Sequence, residues 1–69
     1  MKTFTCIAEL KNTISSMGEM ELHEFFSSLG LFCDEEECFH GYVEINGKER
    51  FIESWYSRIQ RMSVCSVLY

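Results

Sequence analysis

KERFIESWYSRIQRM, residues 48–62, decides the architecture of this chain, because it can be read at two periods. At helical spacing, Phe51, Ile52, Trp55, Tyr56, Ile59 and Met62 share one apolar face, with Arg50, Ser54, Ser57, Arg58 and Arg61 opposite. At a spacing of two it is the return arm of a hairpin that turns at Asn46-Gly47, where both residues tolerate positive φ. The apolar recurrence favours the helix. The return strand is then expected to cover only Lys48 to about Arg50, with a third helix following it. A longer return strand over 48–54 is the alternative, and it would shorten that helix.

Upstream, CFHGYVEI (38–45) alternates: Phe39, Val43 and Ile45 against His40, Tyr42 and Glu44. Downstream, SVCSVLY (63–69) is β-branched and alternating, and is expected to form a terminal strand paired with the first. Two helices precede the hairpin. In the first, Ile7, Leu10, Ile14 and Met17 make one stripe, Thr3 or Thr5 is placed to cap its start, and Gly18 stands where a C′ glycine would end it. In the second, Leu22, Phe25, Phe26 and Leu29 share a face, and Gly30 closes it. The acids Glu19, Glu21 and Glu24 crowd its first turns, where the helix dipole favours anions. The expected fold is α+β: one small domain over residues 1–69, with about three helices packed on a short antiparallel sheet. That sheet consists of hairpin 38–50 and a C-terminal strand at 63–68.

Sixty-nine residues bury only about 60% of the unfolded surface, so the core must be rich. At 46% hydrophobic and 14% aromatic, without a single Pro, it is. Glu9 and Lys11 interrupt the N-terminal stretch where a leader's apolar run would lie, so no signal peptide is expected. No apolar run reaches the roughly 18 residues of a membrane span. The expected location is cytoplasmic, with no membrane partner. The four cysteines are then expected as reduced thiols, Cys6 and Cys65 serving as small core hydrophobes.

Charge is unevenly spread. Residues 1–47 carry nine acids against Lys2 and Lys11, a balance of −7; residues 48–69 carry four bases against two acids, a balance of +2. Phosphate backbones are bound by clustered cations, which this chain lacks, so no direct nucleic-acid binding is expected. An acidic face suits a basic protein surface, which can itself belong to a nucleic-acid-binding complex. The candidate partner-binding residues are Glu19, Glu21, Glu24, Asp34, Glu35, Glu36, Glu37 and Glu44. Tyr56 is the candidate aromatic anchor, since Tyr is enriched at binding hot spots. The bland alternative is a solvated charged surface.

The densest chemistry is CDEEECFH, residues 33–40. Cys33, Cys38 and His40 have spacing permissive for zinc, with His23, Cys6 or Cys65 as a fourth ligand brought in by the fold. No paired-cysteine knuckle is present, so no cofactor is expected unless that zinc site forms. Acids beside a cysteine disfavour the thiolate, and the sequence holds no nucleophile elbow, phosphate loop or HExxH segment, so no enzymatic activity is expected. His23 reads as a solvated histidine on an acidic helix face. A zinc-stabilised or dimeric regulatory module, the dimer joined through exposed aromatics, is the alternative to a binding inhibitor.

Three features give the chain a class resemblance: DEEE at 34–37, EMELHE at 19–24 and the aromatic segment FIESWYSRI at 51–59, all within 69 residues. In these it resembles the small acidic proteins with which bacteriophages and mobile elements inhibit host machinery, anti-CRISPR proteins among them. The resemblance implies a non-enzymatic, phage-encoded inhibitor acting in the cytoplasm of a bacterial host. It also implies that the acidic residues imitate DNA charge against a complex such as a CRISPR effector. The class shares no common motif, so it assigns no individual residue.

Overall fold

The computed structural model describes residues 3–69. In chain order the elements are β1 (Thr3–Phe4), α1 (Ile7–Ser15), α2 (Glu19–Ser28), β2 (Phe32–Cys33), β3 (Phe39–Ile45), β4 (Lys48–Ser57) and β5 (Met62–Val67). The class is α+β, but the described residues hold two helices, not three. The segment expected as the third helix continues as strand: β4 runs ten residues, from Lys48 to Ser57. A turn then leads into β5, with Arg61 at φ 55° and the Gln60 N–H donating to Ser57 Oγ.

The cause of this difference is tertiary. Asn46 (φ 54°) and Gly47 (φ 76°) close a two-residue turn that pairs Ile45 with Lys48 and sets the register of everything beyond. Once begun, β4 pairs with β3 from Lys48 to Ser54 and with β5 from Ile52 to Ser57, so ladder hydrogen bonds take up most of the backbone groups that a helix would have paired. Ser54 had a place on the polar face of the supposed helix. It is instead fully buried, and its hydroxyl donates to the Val64 carbonyl at 2.7 Å. Ser63 is likewise buried, donating to the Met17 carbonyl at 3.0 Å. Ile59, apolar in the helix reading, is exposed in the turn.

The sheet order is β1-β3-β4-β5. The terminal strand therefore pairs with β4, not with the first strand of the hairpin. β4 occupies one edge of β3 throughout. The other edge takes β1 in parallel at Glu44 and Ile45, and β2 antiparallel at Phe39 and His40. Both helices lie on one face of the sheet. Leu10, Ile14, Leu22 and Phe26 from the helices meet Phe39, Val43, Ile45 and Ile52 from the strands in one core. The segment after α1 is tied to β5 through Met17, and the inward-facing Ser63 and Cys65 are only 1% and 7% exposed.

The helix stripes match expectation, but the ends differ. Cys6 is the N-cap of α1, without a side-chain capping bond, while Thr5 donates to Glu9 instead. Cys6 is exposed rather than in the core; Cys65 is buried, and no disulfide joins any of the four thiols. Gly18 does not close α1 but caps α2, where the Glu21 carboxylate reaches back to its N–H at 3.5 Å. Gly30, at φ 81°, ends α2 as expected, with the Leu31 N–H donating to the Phe26 carbonyl. Among the described residues no helix is long and apolar enough to cross a membrane.

Candidate functional site: an acidic cleft where one strand outruns its neighbour

The register of the sheet creates the site. β3 begins at Phe39, opposite Ser54, yet β4 continues through Trp55, Tyr56 and Ser57 with only β5 beside it. The vacated edge is not filled by another strand. Across it lie the first turns of α2 and the turn at residues 34–38. Between them is a cleft of about 470 Å³. Trp55 and Tyr56, both half-buried, border it, and the buried Leu22 and Phe39 lie directly behind them. Its rim is acidic, with Glu19 from α2 and Glu35, Glu36 and Glu37 from the turn. A shallower depression on the outer side of α2 continues the same surface past Glu24.

The acidic turn is rigidly tied. Asp34 Oδ1 accepts the backbone N–H groups of Glu36 (2.9 Å) and Cys38 (3.0 Å), and the Asp34 N–H donates to the Cys38 carbonyl at 3.0 Å. Asp34 Oδ2 lies 2.7 Å from His40 Nε2, and His40 Nδ1 is 3.5 Å from Glu53. The Cys38 N–H first, and His40 second, hold the Asp34 carboxyl below its usual range. Asp34 is therefore a brace. The three glutamates it presents are exposed, and Glu37 sits at φ 63°.

A lowered carboxylate pKa stabilises the fold above the unfolded-state value, here 3.8, and that contribution is lost as pH falls through the folded value. Acidification from about pH 5 to about pH 3 is accordingly expected to lower the thermal midpoint more steeply in the natural chain than in Asp34→Asn. Equal slopes in the two proteins would show that Asp34 does not brace the turn.

The candidate zinc ligands are divided by strand alternation. Cys33 pairs with Phe39 and packs against the core, whereas Cys38 and His40, on either side of Phe39, face the other way. The donors that do meet are Asp34, Cys38 and His40, each offering one atom within 4.8 Å of the others. Asp34 replaces Cys33 in that group. Its oxygens already accept three hydrogen bonds, and burial, then Glu53 and Asp34, push the Cys38 thiol up to about 11. A rise from 9.0 to about 11 leaves the thiolate of the metal-free thiol roughly 100-fold scarcer at neutral pH, and the thiolate is the nucleophilic form. Burial, followed by Glu37 and Asp34, also raises the Cys33 thiol. As they stand, Asp34, His40 and the Cys38 backbone N–H form a hydrogen-bonded brace.

Of the candidate binding acids, Glu19, Glu24, Glu35, Glu36 and Glu37 share one end of the molecule, although they come from two separate segments. Glu21 is turned to the Gly18 cap, and Asp34 is tied into the turn. Glu44 stands apart, near the far end of β3 beside the Asn46-Gly47 turn. Tyr56 is half-buried against the core and borders the cleft rather than projecting as a free anchor. The sequence reading did not place His23, Trp55 or Arg58 at this surface. His23 packs edge-on over Phe39, with centroids 4.9 Å apart, and lies 3.7 Å from Glu37; it is not simply solvated. Arg58 reaches across the mouth of the cleft to Glu19 at 3.4 Å. The signal for His23 was its place one residue after the core Leu22, on the edge of the apolar face; Arg58 had none, because the helix reading sent it elsewhere.

The opposite face of the sheet has no helix over it. Tyr42, Phe51 and Tyr69 form an aromatic row there, with centroids 5.2 and 5.8 Å apart, and Phe32 beside it is 68% exposed. Comparison of the chain with protein-family models, with curated proteins and with solved structures finds no match in any of the three.

Proposed function

We propose that this chain is a non-enzymatic protein-binding inhibitor whose acidic end occupies a basic surface of a nucleic-acid-binding complex. A CRISPR effector of a bacterial host, opposed by a phage or mobile element, is the kind of target meant. The observation that carries the reading is the convergence of acids from residues 19–24 and 35–37 around one cleft. Dispersed acids would serve solubility alone. Acids gathered on a braced turn and a helix start present several carboxylates at once to lysines and arginines that otherwise hold phosphates. Such a field speeds association with a basic partner by about 10–1,000-fold and weakens as salt rises.

The test is charge reversal where the fold does not depend on charge. Changing Glu35, Glu36 and Glu37 to Lys takes the net charge from −5 to +1, since each reversal adds two. The natural chain is expected to compete with DNA for a purified effector complex, and the triple variant to need at least about tenfold more protein for the same effect. Equal competition by a folded triple variant would end the charge-imitation reading.

The uncovered aromatic row favours a second reading, a dimer joined through Phe32, Tyr42, Phe51 and Tyr69. A contiguous exposed apolar patch commonly marks an interaction surface. Sedimentation of the natural chain at two concentrations checks it. A rising average mass, suppressed by Tyr42→Glu, is the expected result, and a constant monomer mass removes this reading.

A further inference from the structure

We infer that the cleft takes an extended basic segment of the partner, which adds to β4 as a short strand where β3 stops and sets an arginine or lysine side chain among Glu19, Glu35, Glu36 and Glu37. This rests on the protein-binding reading above and goes further, naming the backbone edge and the chemistry of what fills it.

Ladder alternation supplies the backbone half. Residues of β4 that exchange hydrogen bonds with β3 alternate with those that bond to β5. The Leu68 N–H donates to the Phe51 carbonyl, and Trp55 is paired opposite Val64, so odd-numbered residues of β4 face β5. The even-numbered Ser54 and Tyr56 therefore turn their N–H and C=O toward the β3 side. Ser54 meets Phe39 there; Tyr56 lies beyond the start of β3, and the described residues provide no hydrogen bond to it from that side. A strand edge with an unmet donor and acceptor, opening on a cleft, is the template on which extended peptides dock.

The side chains supply the other half. Trp55 and Tyr56, which border the cleft from opposite faces of β4, offer aromatic surface to the methylene stem of a long basic side chain, and rings of this kind attract a cation held over their faces. Four carboxylates at the rim complement its charge. The chain's own Arg58 already lies at this mouth, its Nη2 3.4 Å from Glu19, with 81% of its side chain exposed. That exposed pair contributes little to stability, so an incoming guanidinium can take its place without loss to the fold. An acidic peptide would meet the same backbone edge but be repelled by the rim.

The experiment uses the whole chain, ¹⁵N-labelled, titrated with acetyl-TRTRT-amide and separately with acetyl-TETET-amide. The expected result is saturable movement of the Tyr56 amide and the Trp55 indole N–H with the basic peptide and none with the acidic one. Arg58→Gln is expected to tighten binding several-fold by removing the internal competitor, and Glu36→Lys with Glu37→Lys to weaken it about tenfold. Retained spectral dispersion in each variant shows that the fold is intact. Shifts confined to Glu35–Glu37 with Tyr56 unmoved would overturn strand addition. If the triple charge reversal still impaired competition with DNA, the acidic-surface reading would stand without the inserted segment. Equal response to both peptides would overturn the claim of a basic ligand.

Discussion

Phe26→Ala is expected to destabilise the domain by about 3–5 kcal/mol, most of what a chain of this size holds in reserve. Phe26 is fully buried and joins the two layers: its ring lies 5.1 Å from Phe25 on the same helix and 5.4 Å from Phe39 on β3. Its carbonyl also accepts the Leu31 N–H that closes α2. Truncation leaves a cavity between helix and sheet that neither can collapse to fill, since α2 is tethered at Gly18 and Gly30 and β3 is paired on both edges. Because the buried Phe39 lies directly behind the lining of the cleft, slackness there would reach the binding surface as well. Urea unfolding followed by tryptophan fluorescence measures the effect. A loss below about 1 kcal/mol would mean that Phe26 is not the joint between the layers.

Gly41→Ala is the second large effect, expected at about 1–3 kcal/mol although it adds a single methyl group. A Cβ at residue 41 would meet Leu31 Cγ at 2.8 Å and Leu31 Cα at 3.4 Å. Leu31 is itself buried and follows the close of α2, so it cannot move aside without dragging the chain between α2 and β2 off the sheet. The glycine is thus the seat on which that connection rests. Shortening the obstacle gives the internal control: Leu31→Ala in the Gly41→Ala background should recover part of the loss, a non-additivity that independent sites would not show. Simple addition of the two losses would place the cost of the methyl elsewhere.

Several elements were legible because local chemistry and tertiary demand coincide. The stripes Ile7-Leu10-Ile14-Met17 and Leu22-Phe25-Phe26-Leu29 are the faces that pack. The alternation of Phe39, Val43 and Ile45 is the inner face of β3, and Asn46-Gly47 turns as its chemistry requires. The third helix was misread for an equally physical cause. Apolar residues at 51, 52, 55 and 56 satisfy a helix as well as a strand with one covered and one open aromatic face. Ser54 and Ser63 hid the true inner face, because a serine that bonds across the sheet is as acceptable in the core as a valine. The acidic segments could be seen, but not their meeting: 19–24 and 35–37 become neighbours only through the packing of α2 and the brace at Asp34.

By itself the sequence determined the α+β class, the two amphipathic helices, the tight hairpin turn and a lopsided charge balance, since each follows from periodicity, turn conformation or counting. Only the tertiary structure decided that β4 extends three residues beyond β3, that Cys33 parts from Cys38 and His40, and that Trp55, Tyr56 and the glutamates share one cleft. The reason is that strand register and side-chain facing depend on a partner distant in the chain. A shift of one residue would have turned every one of those side chains to the other face.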